Sequence, residues 1–330
     1  MKLAIMGAGS WGTALSLVLG RAHQIGLWVH DPALCARMKQ ARVNDVYLPG
    51  FPLPQNVHPT GSIPEALKEA EIVLTVMPSE HCRGVIQEML PQLRPEMLLV
   101  SATKGLERNT LLRMSEVIRE VAGSGFAPRL GALSGPTFAL EIARGDPAAV
   151  VIASSDAALA TTVQKSFSSA TLRLYTNDDI AGVEYAASLK NVIAIGAGIC
   201  DGLGLGNNTM AALITRGLKE ITRLACACGG RPETLAGLAG LGDLVLTPTG
   251  SLSRNRTLGR ELAAGRKLKE ILSSMRMVAE GVHTTTAALA LARRTRVEMP
   301  ITEQMHAVLF EGRPPREALR DLMERSLKGE

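Results

Sequence analysis

The chain has 330 residues, a formal net charge of +5, 46% hydrophobic residues and 20% charged residues, which together exclude an intrinsically disordered protein. Its length accommodates two domains with buried cores. Aromatic residues make up only 3% of the chain, so few side chains can stack on nucleic-acid bases. Because acidic and basic residues are interleaved, we expect a small anionic substrate and a solvated basic surface, and no nucleic-acid partner.

The cysteines and the N-terminus indicate a reducing compartment. The cysteine count is odd and shows no disulfide-framework spacing, so we expect buried or partly buried thiols and no metal site. The uncharged run from Leu3 to Gly20 resembles a signal peptide, but glycines interrupt it and no A-x-A cleavage signal follows. No other run is expected to span a bilayer. A cytoplasmic location follows.

The first fourteen residues predict a dinucleotide site. A short apolar strand, Leu3 to Met6, runs into glycines at the spacing G-x-G-x-x-G, and an apolar helix follows. Gly7 would permit a tight turn, Gly9 a close approach to a pyrophosphate, and Gly12 close packing of helix on strand. The helix N-terminus then offers N–H groups to the phosphates. An ordinary glycine-rich turn is the alternative.

A second strand ends at His30-Asp31-Pro32. Asp31 lies about twenty residues past the glycines, where a carboxylate can bind the ribose diol of NAD. It can equally be the N-cap of a helix that starts at Pro32. His30 does not indicate whether the cofactor carries a 2′-phosphate, and Arg37, which could bind one, lies within a few residues. NAD and NADP therefore both remain open.

Strands and helices alternate from residue 1 to about residue 178, which predicts a doubly wound parallel sheet of the Rossmann type. Tyr47 to Pro59 contains four prolines and is predicted to be an ordered loop. From Asp179 onward only helical patterns follow. We therefore expect a dinucleotide-binding domain over residues 1–182 and an all-helical substrate-binding and catalytic domain over residues 183–330.

Two polar stretches directly follow predicted strands, where ligands bind in open α/β sheets. Lys104 comes after one strand, and Gly135-Pro136-Thr137 comes after another. Lys104 is either a cofactor-crevice residue or a solvated loop lysine. The glycine and threonine either present backbone N–H groups to a ligand or simply start a helix.

Lys190 lies in an apolar, small-residue helix, which is unusual for a solvated lysine. Burial lowers the pKa of an ammonium and makes it a usable acid or base near neutral pH. A lysine whose head group snorkels to solvent is the alternative. Glycines 196 and 198 favour close packing against another helix. Further on, Asp243 is predicted to lie in a glycine-flanked turn.

A phosphate site is predicted where Ser253-Arg254-Asn255 opens a helix. Ser253 is a suitable N-cap, and the helix start, the guanidinium of Arg254 and the amide of Asn255 together suit a phosphate monoester. A capped, solvated basic helix start is the alternative. Glu280 either contacts the cofactor or caps a helix.

Taken together, these motifs resemble the bacterial-type NAD(P)-dependent glycerol-3-phosphate dehydrogenases over essentially the whole chain. The resemblance is carried by Gly7 to Ala14, Lys104-Gly105, Ser134 to Ala139, Glu184 to Asn191, Gly242-Asp243-Leu244 and Ser253-Arg254-Asn255. It implies reversible reduction of dihydroxyacetone phosphate to sn-glycerol 3-phosphate, which supplies glycerophospholipid synthesis. It also implies a homodimer.

The resemblance further implies a role for each matching residue. Lys190 is the general acid/base on the substrate oxygen, Lys104 polarises the substrate near the cofactor, and Asp243 orients the lysines. The implied substrate contacts also include Gly135, Thr137, Ser253, Arg254 and Asn255. The implied cofactor contacts, in addition to the three glycines, Asp31 and Lys104, are Ser10, Trp11, His30, Ala139, Arg254, Val278 and Glu280.

Two rival functions remain. A reductase of similar architecture could act on a 3-hydroxy acid or a ketopantoate-like substrate, although the predicted phosphate site argues against it. A non-catalytic protein that senses dinucleotides would need the glycines, but not Lys104, Lys190 and Asp243 together.

Overall fold

The computed structural model describes residues 1–250, 252–275 and 279–326, and the chain divides into two compact units. We call Met1–Glu107 with Leu112–Glu184 the sheet unit, and Arg108–Leu111 with Tyr185–Glu330 the helical unit. The sheet unit contains all ten strands of the described chain. A Rossmann-like sheet followed by a helical C-terminal region confirms the predicted fold class.

Eight strands of the sheet unit form one sheet in the order β10-β9-β8-β7-β6-β1-β2-β5, and β3 and β4 form a separate hairpin. The strands are β1 (Lys2–Met6), β2 (Gln24–Trp28), β3 (Val43–Asn44), β4 (Leu48–Pro52), β5 (Val57–Thr60), β6 (Ile72–Thr75), β7 (Leu98–Ser101), β8 (Arg129–Ser134), β9 (Ala148–Ala153) and β10 (Leu172–Asn177).

Helices connect these strands. They are α1 (Ser10–Leu19), α2 (Pro32–Ala41), α3 (Ile63–Leu67), α4 (Ser79–Met89), α5 (Met114–Ala122), α6 (Ala139–Arg144) and α7 (Ala157–Phe167), with 3₁₀ turns at Leu90–Gln92 and Gly123–Gly125. Alternate strand residues enter two hydrophobic clusters, Leu3 and Ile5 in one and Ala4 and Met6 in the other. Because both faces are buried, the central strands are continuous apolar runs.

Two strands run against the predicted parallel direction. β9 pairs antiparallel with β8, and β10 pairs in parallel with β9, so both run opposite to the other six strands of the sheet. The link from β8 to β9 contains only the six-residue α6, which rises about 9 Å. A six-residue strand spans about 20 Å. This helix is therefore too short to return the chain from the carboxyl ends to the amino ends of the strands, as a parallel connection requires.

The segment from Tyr47 to Pro59 is not the loop that its prolines predict. It contains β4 and β5, and β5 forms one edge of the large sheet beside β2. Pro59 lies within β5, because an edge strand tolerates a residue that lacks a backbone N–H.

The helical unit contains the rest of α8 (Ile180–Gly202), which starts in the sheet unit, and the helices that follow it. These are α9 (Asn207–Ala227), α10 (Pro232–Ala236), α11 (Asp243–Thr249), α12 (Arg254–Ala263), α13 (Leu268–Ser274), α14 (Gly281–Thr295), α15 (Pro300–Phe310) and α16 (Pro315–Met323), with a π-helical turn at Leu238–Gly242. Asp243, predicted to lie in a turn, is the first residue of α11.

Helix α8 corrects one part of the membrane prediction, namely that no further run is long and apolar enough to span a bilayer. Among the described residues, it is long and apolar enough to cross a bilayer, yet its apolar window is entirely buried in the structure. Gly198 lets α8 approach α12 closely, since a Cβ there would lie 2.0 Å from the carbonyl oxygen of Arg256. This contact explains one of the two glycines that predicted close helix packing.

Candidate active site

The glycine turn, residues 7–12, uses its three glycines differently. Gly7 has a φ of +126°, and a Cβ there would lie 2.3 Å from the carbonyl oxygen of Val76. A Cβ on Gly12 would lie 1.9 Å from the carbonyl oxygen of Gly7. A Cβ on Gly9 would meet no protein atom within 4 Å. Gly7 therefore lets the turn pack against the end of β6, and Gly12 lets the start of α1 pack against Gly7. Gly9 leaves open space that fits an approaching pyrophosphate.

Helix α1 begins directly after this open space. Its N-cap is Gly9, which makes no side-chain cap hydrogen bond, so the positive end of the helix dipole faces the turn. The hydroxyl of Ser10 donates to the carbonyl oxygen of Tyr47 at 2.7 Å. Trp11 is half-buried against the sheet core. The start of α1 is therefore fixed by neighbouring residues and suits a phosphate group.

Asp31 caps α2, as one of its two interpretations predicts. Its Oδ1 atom accepts the backbone N–H groups of Ala33 at 2.8 Å and Leu34 at 3.2 Å. His30 is exposed beside it, and its ring lies 5.6 Å from that of Trp28. Capping leaves the predicted ribose contact of Asp31 as a prediction.

The remaining predicted cofactor contacts lie in both units. Ala139 is the half-buried first residue of α6. Glu280 is the N-cap residue of α14 and accepts the hydroxyl of Thr284 on its backbone carbonyl at 2.9 Å. Val278 lies outside the described residues.

Lys104 and the residues after β8 come together in the sheet unit. The ammonium of Lys104 donates to the carbonyl oxygen of Gly135 at 3.3 Å, and the hydroxyl of Thr137 donates to the same oxygen at 3.2 Å. Gly135 has a φ of +153°, and a Cβ there would lie 2.9 Å from the Cα of Val150. These three residues form one polar cluster at the carboxyl ends of β7 and β8.

The helical unit buries an ion pair. The ammonium of Lys190 on α8 donates to the carboxylate of Asp243 and, at 2.8 Å, to the hydroxyl of Thr247. That hydroxyl in turn donates to the backbone carbonyl of Asp243 at 2.7 Å. Lys190 is 6% exposed and Asp243 is fully buried.

Asn255 links three helices of the same unit. Its side-chain amide nitrogen donates to Oδ1 of Asn191 on α8 at 3.0 Å, and its oxygen accepts the backbone N–H of Gly281 on α14 at 3.0 Å. Gly281 has no room for a side chain, since a Cβ would lie 2.7 Å from the Asn255 oxygen. Much of the hydrogen-bonding capacity of Asn255 is therefore used within the protein.

Ser253 and Arg254 begin the same helix as Asn255. Ser253 is buried and caps α12 by accepting the N–H of Arg256 at 3.3 Å. Arg254 is exposed in the first helical turn. An exposed guanidinium at a capped helix start is suited to a phosphate.

Sequence reasoning assigned no role to two residues of these clusters, Thr247 and Asn191. Thr247 lies four residues after Asp243, which places both on one face of α11. That spacing would have identified Thr247 if α11 had been recognised as a helix. Asn191 follows Lys190 directly, but only the fold brings it to Asn255.

The three buried thiols are unsuited to nucleophilic catalysis. Cys35, Cys82 and Cys200 are buried, whereas Cys226 and Cys228 are half-buried. Burial, and then the carboxylates of Glu184 and Glu107, raises the pKa of Cys82 to about 12, and burial also raises the pKa values of Cys35 and Cys200. Within residues 1–250, 252–275 and 279–326, no group of three or more His, Cys, Asp or Glu side chains could hold a metal ion.

Comparison with known proteins matches both halves of the chain to one family. Residues 2–160 match the N-terminal model, and residues 179–320 the C-terminal model, of NAD-dependent glycerol-3-phosphate dehydrogenase. The chain is 58% identical to glycerol-3-phosphate dehydrogenase (NAD(P)+) of Koribacter versatilis over 98% of this chain and 97% of that protein. It is 50% identical to the same enzyme of Geobacter sulfurreducens over 100% and 98%.

A solved structure gives the same result. The crystal structure of glycerol-3-phosphate dehydrogenase from Coxiella burnetii has a TM-score of 0.94 to this chain at 40% identity, covering 98% of this chain and 99% of that one. With both halves matched and relatives similar over nearly the whole length, this chain belongs to the NAD-dependent glycerol-3-phosphate dehydrogenase family.

Proposed function

We propose that this protein catalyses the reversible NAD(P)-dependent reduction of dihydroxyacetone phosphate to sn-glycerol 3-phosphate. The observation that carries the proposal is the buried ammonium of Lys190, directed by Asp243 and Thr247. Reduction of a carbonyl requires a proton, or stabilising positive charge, at the oxygen that becomes an alcohol. A buried ammonium in a fixed orientation can provide both.

In this proposal the dinucleotide is held by a binding domain over residues 1–182, nearly all of which lie in the sheet unit. The open space at Gly9 and the uncapped start of α1 receive the pyrophosphate. Ser10, Trp11, His30, Asp31 and Ala139 provide further contacts from the same unit. When bound, NAD or NADP supplies the hydride that is exchanged with carbon 2 of the substrate.

The substrate and proton functions fall to Lys104, Gly135 and Thr137 and to residues 183–330. Lys190 transfers the proton and Asp243 keeps its ammonium in position. Lys104 polarises the substrate, because its ammonium is held at the carbonyl oxygen of Gly135 beside the Thr137 hydroxyl. Lys190, Asp243 and Lys104 therefore each have one chemical role in the proposal.

The phosphate group is bound at the start of α12 in this proposal. The exposed guanidinium of Arg254 supplies the charge, and Ser253 and Asn255 hold the helix start in place through their hydrogen bonds. The family resemblance also implies cofactor contacts for Arg254, Val278 and Glu280.

A substrate comparison tests the proposed reaction. We expect NADH or NADPH to be oxidised rapidly with dihydroxyacetone phosphate and much more slowly with unphosphorylated dihydroxyacetone. Equal rates would contradict a phosphate-specific reductase. Turnover of 3-hydroxy-acid or ketopantoate-like pairs without turnover of the phosphotriose would favour the rival reductase.

A lysine-to-arginine pair tests the role of Lys190. Lys190→Arg keeps a positive charge beside Asp243, but a guanidinium does not give up its proton at neutral pH. We expect kcat to fall by about a hundredfold or more, while the Kd of NADH stays unchanged. Lys219→Arg, at an exposed lysine of α9, is the matched control. An undiminished kcat in Lys190→Arg would refute the assignment.

The proposal includes a cytoplasmic homodimer whose product enters glycerophospholipid synthesis. The homodimer and the use of the product follow from the family resemblance, and the cytoplasmic location is supported by cysteines without disulfide-framework spacing. Light scattering coupled to size-exclusion chromatography tests the assembly, since a dimer has twice the 35.0 kDa mass of the chain.

A further inference from the structure

Asn44, at the end of β3, is fully buried and uses its whole side chain in hydrogen bonds. Its nitrogen donates to the carbonyl oxygen of Ala8 and to the hydroxyl of Thr13, each at 2.8 Å. Its oxygen accepts the N–H groups of Val46 at 3.3 Å and Tyr47 at 3.0 Å. Two donor hydrogens and two lone pairs are the full capacity of an asparagine amide.

The bond to Ala8 fixes one peptide plane of the glycine turn. In a planar trans peptide, the carbonyl of Ala8 and the N–H of Gly9 point in opposite directions. Because Asn44 holds that carbonyl in the interior, the N–H of Gly9 is directed the other way. Gly9 is also the residue whose Cβ would meet no protein atom within 4 Å. Asn44 thereby orients a backbone donor at the position where the turn is open.

The other side of the Asn44 amide holds the start of α1. By accepting from Val46 and Tyr47, Asn44 closes its own loop, and the carbonyl oxygen of Tyr47 accepts the hydroxyl of Ser10 at 2.7 Å. Ala8, Ser10 and Thr13 are therefore all tied to the loop at residues 44–47, directly or through it. This loop braces the turn and the first turn of α1 from the side of the β3–β4 hairpin.

We infer that Asn44 is a positioning residue of the dinucleotide site, which sets the affinity for the pyrophosphate through the Ala8–Gly9 peptide and the start of α1. The inference rests on the proposed function, because it presupposes a dinucleotide at Gly9. It adds a residue from outside the glycine turn, 36 positions from Ala8 in the sequence.

Two substitutions of Asn44 test the inference by direct binding. Asn44→Asp keeps the size of the side chain and an acceptor for Val46 and Tyr47, but places a carboxylate oxygen against the carbonyl of Ala8. Asn44→Ala removes all four hydrogen bonds. We expect the Kd of NADH, titrated without substrate, to rise about tenfold or more in both variants. The KM for dihydroxyacetone phosphate at saturating NADH should change by less than about twofold, because the substrate contacts are untouched.

Asn56→Ala is the matched control. Asn56 donates to the carbonyl oxygen of Gly20 at 3.3 Å and accepts from the amide of Gln24 at 3.0 Å, at the opposite end of α1. We expect this variant to lower the Tm and leave the Kd of NADH unchanged. An equal rise in Kd for Asn56→Ala would reduce Asn44 to a general stabilising residue and overturn the inference.

The remaining outcomes separate the inference from the proposed function. A wild-type Kd in both Asn44 variants overturns the inference alone. A wild-type protein that binds neither NADH nor NADPH overturns the proposed function itself. If neither Asn44 variant folds, Asn44→Ser, which keeps an acceptor hydroxyl for its own loop but is too short to reach Ala8, is judged by the same rise in Kd.

Discussion

The two units build their sites by opposite means. In the sheet unit, the glycine turn depends on residues without a side chain. A Cβ on Gly7 or Gly12 would collide with backbone atoms, and a Cβ on Gly9 would occupy open space. In the helical unit, the cluster of Lys190, Asp243 and Thr247 works through polar side chains buried in the interior. The first site offers backbone groups and open space to a ligand, and the second orients a charge.

The two sites also differ in how far apart their residues lie in the sequence. The glycines fall within six consecutive positions, whereas Lys190 is 53 residues from Asp243 and 57 from Thr247. A site made of neighbouring residues is visible as a motif. A site made of distant residues depends on how the helices pack. A substitution that alters this packing in the helical unit is therefore expected to change both the stability of the unit and the geometry of its site.

The largest expected effect is loss of the lysine charge. Lys190→Met removes the ammonium beside the buried carboxylate of Asp243, which should lower the free energy of unfolding by about 3–5 kcal/mol. The double variant Lys190→Met/Asp243→Asn removes both charges and should recover most of that loss while remaining inactive. Denaturant unfolding measures both variants. Equal losses in the single and double variants would show that the charge is not what makes the cluster sensitive.

Two alanine substitutions in the glycine turn should separate folding from binding. Gly12→Ala places a Cβ against backbone and should lower the free energy of unfolding by about 3 kcal/mol. Gly9→Ala meets no protein atom, so its Tm should stay near that of the wild type while the Kd of NADH rises about tenfold. Thermal unfolding and NADH titration give the two readouts. Unchanged NADH binding in Gly9→Ala would place the pyrophosphate elsewhere.

A smaller effect is expected at Asp156, which caps α7 in the sheet unit. A 2.7 Å hydrogen bond from Arg129 and the backbone N–H groups of Leu159 and Ala158 hold the pKa of this carboxyl below its usual value. Its contribution is therefore present above the ordinary aspartate pKa and is lost as the pH falls through the lowered folded-state value. Asp156→Asn should cost about 0.5 kcal/mol at pH 6 and progressively less toward pH 3.

Paired unfolding curves at each pH test this expectation. Arg129→Met should remove much of the pH dependence, since it removes the first cause of the pKa shift. A stability difference between wild type and Asp156→Asn that grows on acidification would have the wrong sign.

The last expected effect is a pH dependence with the opposite slope, at Glu220 in the helical unit. Glu220 caps α15 by accepting the N–H groups of Ile301 at 2.9 Å and Thr302 at 2.8 Å, and it is 1% exposed. Burial raises its pKa, so its contribution is complete below the ordinary glutamate pKa and declines as the pH rises through the folded-state value. The stability of the wild type relative to Glu220→Gln should therefore fall as the pH rises above the ordinary glutamate pKa of about 4.3. A rising difference would contradict this direction.

Most of the fold was predictable because its signals are local. Apolar runs at parallel-strand spacing, helical periodicity after Asp179, the N-caps at Asp31 and Ser253, and the glycine turn each depend on residues close together in the chain. The errors arose where local signals conflict with tertiary context. The prolines of the segment that ends at Pro59 indicated a loop where the edge strand β5 lies. Because α6 is short, β9 pairs antiparallel with β8, where a parallel strand was predicted.

The sequence by itself determined three local features: a strand that runs into a glycine turn and a helix, a lysine within an apolar helix, and a basic residue after a helix N-cap. It could do so because backbone conformation and burial pattern depend on neighbouring residues. Only the tertiary structure decided which atoms meet. It joined Asn44 to Ala8, Lys190 to Thr247, and Asn255 to Asn191 and Gly281. Such hydrogen bonds depend on distances between elements far apart in the chain, and these distances are set by packing, where a single Cβ at Gly12, Gly198 or Gly281 would prevent the approach.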